Sequence, residues 1–348
     1  MRFYRIVIQN PETGQVIVPP GFEGLLGGAS YTSFVNGKTL PAAWDVELDI
    51  PVIGQATPQG QALARVWGIS RQEISQANNL NGKNISIYGG MQKGLPLANP
   101  AQAGLLVQGV IFQAFGNWID IHQQTLDFVI MAGSGSTAAA QGTGTLKAPK
   151  NLVLNWKAGT TLAAALTTTL QTAFPGVTVN VNINSGLIRP NDEIGFYPTL
   201  EQLSQYARET SLDIIKTANY AGVSIVIAAN TITVSDGSAT SSAAAKQVNF
   251  QDLIGQPTWI ESPNIQFKTV MRGDISVGDQ IMLPPTVVTN SAQASTSLVN
   301  QSATFQGGFQ IISARHVGAF RQPSADSWVT VFEAAPNQLV GAGSAAGG

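Results

Sequence analysis

The stretch that decides the fold is Trp44-Asp45-Val46-Glu47-Leu48-Asp49-Ile50, in which apolar and acidic residues alternate with a period of two. Successive side chains of a strand point to opposite faces of a sheet, so this pattern predicts a strand with one buried face and one wet face. Pro51 comes next, and we expect it to end the strand.

Strands of the same kind are expected on both sides of that stretch, in a strand-rich first region over residues 1–132. Residues 3–9 alternate in the same way, and residues 107–115 and 118–130 predict two strands around a turn at Gly116-Asn117. One short helix interrupts the strands, because Ser70 and Glu73 have the spacing of a capping box. The region is therefore expected to be barrel-like with a helical insertion.

The middle region, residues 148–237, contains helices as well as strands. A helix capped by Thr160 or Thr161 is predicted by apolar residues that recur every four positions: Leu162, Leu166, Leu170 and Phe174. A second helix is expected to begin at Thr199, where Gln202 completes a capping box. With strands over 152–156 and 177–183 and a hairpin over 223–234, the expected order is β-α-β-α-β-β.

Two segments of small residues, 133–147 and 238–247, separate this α/β module from its neighbours, and their composition predicts flexible linkers. Residues 248–336 contain strands alone, with Gly-Asp turns and a long hairpin, and predict a small antiparallel barrel or sandwich. Residues 337–348 are expected to form a mobile tail. The expected fold class is α+β, mainly β: two small antiparallel β-barrel or sandwich regions flank an α/β module.

Composition excludes several classes of function. Lys and Arg number 18 against 20 Asp and Glu, so the net charge of −2 offers no basic footprint for sequence-specific nucleic-acid binding. The chain has no cysteine, which excludes disulfides and thiol chemistry, and only two histidines, which leave little material for a metal site. We therefore expect no metal and no cofactor. The apolar stretches are too short and too interrupted for membrane insertion, and we expect a soluble protein made in a cytoplasm.

The histidines suggest no catalytic centre. His316 is followed ten residues later by Asp326, but without a nucleophile elbow the simpler interpretation is a strand histidine with a structural hydrogen bond. His122 lies beside Asp120 and Gln123 near an expected turn, where surface exposure is the default.

The carboxylates carry the one enzymatic alternative, a glycan hydrolase with Asp45, Glu47 or Asp192 as acid and base. Such enzymes hold two carboxyl groups on either side of a sugar, whereas residues of one strand face form a solvated or interfacial stripe. Asp192-Glu193 is expected to lie in a loop. Residues 70–88 faintly resemble half of a LysM glycan-binding module, which keeps a glycan-binding protein as a further alternative.

Five motifs resemble a known family, the baseplate hub proteins of contractile-tailed bacteriophages. They are residues 88–97 (YGGMQKGLPL), 253–259 (LIGQPTW), 271–284 (MRGDISVGDQIMLP), 315–321 (RHVGAFR) and 328–331 (WVTV). The resemblance follows the domain order over most of the chain. Family members usually carry an acidic residue after the His-x-Gly turn, and this chain has Ala319 at that place.

The resemblance implies a structural protein of the virion, located in the tail baseplate and assembled in the host cytoplasm. It implies a homotrimer whose strand-rich, tail-tube-like domains form a ring, and the partners implied are the tail tube protein, the central spike protein and other baseplate proteins. It also implies no enzymatic activity and no catalytic, cofactor-binding or metal-binding residue, since no lysozyme or peptidase domain is evident. Low charge suits subunits that bury their surface against copies of themselves.

Overall fold

The structure is a computed structural model of the chain. The residues it describes are 1–53, 61–93, 99–120, 123–132, 152–175, 177–216, 220, 222–228, 231–236, 245–261, 264–284 and 308–336. His122, the expected linker 133–147, most of the expected linker 238–247 and the expected tail 337–348 lie outside the described residues.

Strands dominate the described structure. The first region contains β1 (Arg2–Gln9), β2 (Tyr31–Thr32), β3 (Phe34–Val35), β4 (Lys38–Thr39), β5 (Asp45–Ile53), β6 (Gln61–Trp67), α1 (Arg71–Gln76), β7 (Asn84–Met91), β8 (Gly104–Trp118) and β9 (Gln124–Ala132). The middle region contains β10 (Leu152–Trp156), α2 (Leu162–Ala173), β11 (Thr178–Asn182), β12 (Glu193–Tyr197), α3 (Leu200–Ile214), β13 (Ser224–Ala228) and β14 (Thr231–Ser235). The last region contains β15 (Lys246–Gln247), β16 (Thr258–Glu261), β17 (Asn264–Val270), β18 (Gln280–Met282), β19 (Gly308–Ala319) and β20 (Trp328–Pro336). The predicted class, α+β and mainly β, is confirmed.

One thirteen-stranded sheet runs through both strand-rich regions of the described chain. Its order is β16-β17-β20-β19-β5-β6-β9-β8-β7-β1-β2, with β18 also paired to β19 and β15 beside β18. We call residues 1–132 the N-lobe and residues 245–336 the C-lobe. Strand β5 lies at the joint, because it pairs antiparallel with β6 of the N-lobe and with β19 of the C-lobe. The two expected regions therefore share one open sheet instead of closing separately.

Each lobe has its own apolar core. The N-lobe core is built from residues on the inner face of its strands, including Tyr4, Ile6, Ile50, Ile87 and Phe128. The C-lobe core contains Ile265, Phe267, Ile281, Phe309 and Phe332. Met271 and Trp328 belong to the C-lobe by sequence, yet they are buried in the N-lobe core. The lobes are therefore joined by side-chain packing as well as by the sheet.

Strand β5 runs past the expected stop at Pro51 and ends at Ile53. Its described pairing to β6 extends only from Asp45 to Asp49, whereas its pairing to β19 continues to Ile53. Pro51 therefore occupies a position with one paired neighbour, where the missing N–H is tolerated.

The expected turn at Gly116-Asn117 is wrong, because β8 continues through both residues to Trp118. The chain turns after Trp118, where the Asp120 carboxylate accepts a hydrogen bond from the Gln123 N–H at 2.8 Å. Gly116 has a different reason to be glycine: an added Cβ would lie 2.7 Å from the Cα of Ile74 in α1. The glycine lets the short helix approach the sheet.

The middle region forms the predicted α/β module with one strand more than expected. Helix α2 is capped by Thr161, and its buried face includes Leu162, Leu166 and Leu170. The prediction that Asp192 and Glu193 lie in a loop is wrong for Glu193, because this residue begins β12, which pairs antiparallel with β10. A second sheet has the order β11-β14-β13. The module has its own core, and Val226 of β13 is buried in the C-lobe core.

Candidate functional site

Four of the five motifs that carry the family resemblance contribute residues where the two lobes join, and we call this region the seam. Its main residues are Arg2, Gly90, Arg272, His316 and Trp328. They come from five strands or their ends. More than 200 residues separate Arg2 from its acceptors and Trp328 from Gly90. The seam is therefore produced by tertiary structure and not by local sequence.

The backbones of the two lobes approach closely at Gly104 and Gly273. The Gly273 N–H donates to the Gln102 carbonyl at 2.9 Å, and a Cβ added to Gly273 would lie 2.7 Å from the carbonyl carbon of Gly104. Beside this contact the Trp328 indole N–H donates to the Gly90 carbonyl at 2.9 Å. The ring of Trp328 is buried, so the bond satisfies the single polar atom of a large apolar anchor.

A buried charge network lies beneath the Gly273 contact. The Arg272 side chain is only 3% exposed, and its guanidinium donates to both oxygens of Asp274 at 2.7 and 2.6 Å. The third contact is to Asp252, 3.5 Å away and also buried. Asp252 in turn accepts from the Asn249 N–H, so the network ties the segment before β16 to the C-lobe turn. A buried guanidinium is tolerated only when it is paired in this way.

Arg2 clamps the N-terminal strand onto the β19–β20 connection. Its guanidinium donates to four carbonyl oxygens and one hydroxyl: Ala319 at 2.9 Å, Phe320 at 3.1 Å, Gln322, Ser324 at 2.7 Å and the Oγ of Ser327 at 2.8 Å. The five-donor fork of arginine suits such a ring of acceptors. The loop that follows Ala319 is thus held by hydrogen bonds to backbone, with no acidic side chain at that place.

His316 is a structural residue of the seam. It is 3% exposed, its Nδ1 lies 2.9 Å from the Thr330 Oγ1, and burial lowers its pKa to about 4. The Thr330 hydroxyl also accepts from the Arg272 N–H at 3.1 Å. Asp326 pairs with Lys268 instead of His316, so the dyad is not assembled.

The acidic stripe on β5 is matched by arginines of neighbouring strands. Arg315 donates to both oxygens of Asp49 at 2.8 and 2.7 Å, and this bonding lowers the pKa of the Asp49 carboxyl. Arg65 contacts Glu47 at 3.7 Å and binds Asp127 through two hydrogen bonds. The stripe is therefore part of a cross-strand charge ladder on the wet face of the sheet.

The remaining carboxylates of the enzymatic alternative are not arranged as an acid and base pair. Asp45 accepts a hydrogen bond from the Arg321 N–H, which lies just past β19 on one side of β5. Asp127 lies on β9, on the other side of β5. Asp192 belongs to the α/β module, where bonds from the Ala158 N–H and Lys157 lower the pKa of its carboxyl. A general acid of a glycosidase needs a raised pKa, and the lowered pKa of the Asp192 carboxyl is opposite to that requirement.

Among the described residues, no three His, Asp or Glu side chains are grouped closely enough to hold a metal ion. None of the described helices has the length and apolar character needed to cross a membrane.

Several large apolar side chains of the described sheet are exposed to solvent. Trp259 and Ile260, each 47% exposed, lie on the terminal strand β16. Phe112, Trp118 and Ile119 are exposed on β8, an inner strand of the sheet, and just past its end. Arg71 stacks on Trp118 at 4.2 Å. Apolar groups at sheet margins are candidate contacts for other protein chains.

Comparison with solved structures finds similar chains at low sequence identity. No family model and no curated protein sequence matches it. Among solved structures, it is similar to an Escherichia coli component of the type VI secretion system (TM-score 0.49, 11% identity, 85% of this chain and 75% of that one). It is also similar to a tail protein from Neisseria meningitidis (TM-score 0.45, 11% identity, 96% of each chain). A third similar structure is a prophage tail protein from Listeria monocytogenes (TM-score 0.39, 8% identity, 96% of this chain and 95% of that one).

Sequence reasoning missed the Arg2 clamp and the pairing of Asp252 with Arg272. Arg2 looked like an ordinary polar residue of an alternating strand, because its acceptors are backbone atoms more than 300 residues away. For Asp252 a signal was present: Asn249 and Asp252 have capping-box spacing, and the structure forms that box.

Proposed function

We propose that this protein is a structural hub of a phage tail baseplate, and that three copies form a ring between the tail tube and the central spike. The observation that carries the proposal is the two-lobed sheet: one chain presents two strand-rich units side by side, joined at β5 and β19. Three such chains supply six units, which can match a six-fold tube. Closed rotational symmetry is also the norm for assemblies of one chain.

The seam supports this role because a ring element must hold its two units in a fixed relation. Trp328 and Arg2 join the lobes through a buried anchor and a backbone clamp. The Arg272 charge network lies within the C-lobe and holds the turn whose Gly273 contacts the N-lobe. A hinge between the lobes would need exposed and weakly bonded contacts instead. Four of the five hub motifs thus contribute residues to the contact between the two lobes.

Ring formation needs two different surfaces on each chain, one at each end of the sheet. A head-to-tail contact joins unlike surfaces and closes when the rotation fits. Strand β16, with exposed Trp259 and Ile260, ends the sheet on the C-lobe side, and β2 ends it on the N-lobe side. We assign the subunit contact to these two ends, with strand edges and apolar side chains as the contact chemistry.

The wet face of the sheet suits a passage that must not retain DNA. Its charge ladder contains the carboxylates of Glu47, Asp49 and Asp127 and the guanidinium groups of Arg65 and Arg315, which pair with one another. Paired arginines have little capacity to release counterions from a phosphate backbone. In the proposed role the chain is non-enzymatic and acts in the virion tail after assembly in the host cytoplasm. Its proposed partners are the tail tube, the central spike and other baseplate proteins.

The proposal is tested by sedimentation of the purified protein and of an edge variant, Trp259→Glu with Ile260→Lys. The wild type is expected at three times the chain mass of 36.5 kDa. The edge variant is expected to shift to the single-chain mass at the same concentration, because two buried charges are costly at an apolar contact.

A matched control is Ile194→Lys with Phe196→Glu, which alters two exposed apolar residues of β12 in the module. This variant is expected to remain trimeric. A wild-type monomer or dimer at high concentration would overturn the hub proposal. A trimer that survives the edge variant with unchanged stability would overturn the assignment of β16 to the contact.

A further inference from the structure

A cavity of about 330 Å³ lies in the N-lobe, outside the seam. One of its lining residues, Tyr31, belongs to β2, at the N-lobe end of the sheet. It is bounded by β1, the segment from Ile17 to Pro20, and the region from α1 to Lys83. Its volume is within the range of small-ligand sites, about 300–1,000 Å³. The cavity is therefore large enough for one compact group.

The walls of the cavity are mainly apolar and held in place. Ile8 and Leu126 form its buried side, and Pro19 and Leu80 contribute further apolar surface. The loop wall is fixed by hydrogen bonds: the Ile17 N–H donates to the Ile8 carbonyl at 2.8 Å, and the Ser30 hydroxyl donates to the Ile17 carbonyl at 2.6 Å. A preformed apolar wall reduces the ordering cost of binding.

The acidic group of the cavity is already occupied. Glu73 receives hydrogen bonds from the Tyr31 hydroxyl on one oxygen and from the Ser70 N–H and hydroxyl on the other, all at 2.8 Å. These bonds belong to the helix cap of α1 and to its attachment to β2. Glu73 is therefore not a free acceptor for a bound cation.

The cationic group of the cavity is available. Lys83 lines it, and its ammonium forms no hydrogen bond or ion pair with any residue that the structure describes. The side-chain amides of Gln76 and Asn79 also line the cavity, and neither is bonded within the same described set. One cation and two amide groups thus face the cavity beside an apolar wall.

We propose that this cavity binds the C-terminal residue of a partner peptide, with an apolar side chain against the wall and the α-carboxylate on Lys83. The C-terminal residue of a peptide carries an apolar side chain and a carboxylate within a few bonds of each other. Its last peptide unit offers hydrogen-bond partners to the side chains of Gln76 and Asn79. Capture of a terminal carboxylate is a known mode of peptide recognition. The inference goes beyond the hub role and does not depend on ring formation.

The test uses N-acetyl-L-leucine as the probe, N-acetyl-L-leucinamide as its uncharged match and octanoate as a simple amphiphile, titrated by saturation-transfer NMR. The acid is expected to bind the wild type at least five times more tightly than the amide or octanoate. Lys83→Gln is expected to remove the difference between acid and amide. Ile17→Trp, which fills the cavity without altering the backbone bonds of residue 17, is expected to abolish binding of both.

Circular dichroism and thermal unfolding establish that both variants are folded, so that a loss of binding reports on the cavity. Absence of acid binding to the wild type would overturn the proposal. So would an unchanged preference for the acid in Lys83→Gln, or binding that persists in Ile17→Trp. Octanoate binding as tight as that of the acid would overturn the peptide end as the ligand. The oligomeric state is measured on the same samples and tests the hub proposal separately.

Discussion

The large sheet and the α/β module are built on opposite principles. In the module, elements that are adjacent in sequence pack together: α2 follows β10, and β13 and β14 form a hairpin. The module also has its own apolar core. The sheet depends on distant pairs, such as Arg315 with Asp49, 266 residues apart. Because loop closure must be compensated before distant contacts can form, the sheet relies on its seam in a way that the module does not.

The largest contrast is expected when the module is separated from the sheet. A fragment of residues 148–237 is expected to fold alone with a cooperative thermal transition, because its core is complete without either lobe. Its stability is expected to be lower than in the full chain, since Val226 loses its place in the C-lobe core.

Limited proteolysis of the full protein checks the same boundary. It is expected to leave a resistant fragment near residues 148–237. Uniform cleavage through this range, or an unfolded fragment, would show that the module is not an independent unit.

The next effect is the loss of the buried charge at the seam. Arg272→Ala leaves Asp252 buried without its cation and is expected to lower the free energy of unfolding by about 3–5 kcal/mol. Hydrogen exchange measured by peptide should show the lost protection in β17 and β20 and little change in α2.

The matched control for Arg272 is Lys157→Ala, which removes an exposed ion pair of the module. Its pair with Asp192 is more than half exposed on both sides, so the expected change is about 0–1 kcal/mol. Equal effects of the two substitutions would contradict the assigned difference between seam and module.

A third difference concerns pH. The folded pKa of His316 is about 4, below the ordinary imidazole value of about 6.5, so between these values the unfolded chain binds a proton that the folded chain does not. The contribution of His316 to stability is therefore complete above pH 6.5 and is lost as the pH falls to 4, by about 3 kcal/mol.

Denaturant unfolding at several pH values measures this slope. His316→Gln is expected to flatten the curve over that window, and His122→Gln, which removes the other histidine, is the comparison variant. A slope that disappears in His122→Gln and persists in His316→Gln would contradict the assignment.

The smallest of these effects is expected at the clamp. Arg2→Ala removes charge-assisted bonds to the β19–β20 connection and is expected to cost about 2 kcal/mol. Arg2→Lys keeps the charge without the planar fork and is expected to recover only part of the loss. Full recovery by lysine would show that charge alone, and not the set of donors, holds the loop.

The same contrast explains what the sequence could predict. The α2 stripe and its Thr161 cap lie within one helix, and the alternation of β5 lies within one strand, so local patterns identify them. Strand β12 was missed because its apolar residues Ile194 and Phe196 face outward, which reverses the usual pattern. Gly116 was interpreted as a turn because its true role, the approach of α1, depends on a residue 42 positions earlier.

For the seam, the motifs identified the right residues but not their contacts. Trp328 bonds Gly90, and Arg272 bonds Asp252, pairs that no local spacing indicates. The carboxylates of β5 were correctly expected on one strand face, whereas their arginine partners come from two other strands. Chemistry that depends on distant pairing is visible only once the sheet order is known.

In the proposed ring, three two-lobed chains supply six units. Electron microscopy of the purified protein, with averaged views down the ring axis, tests this arrangement. We expect three-fold particles with six strand-rich units around a central opening. Monomers, two-fold particles, or rings in which each chain contributes a single unit would contradict it.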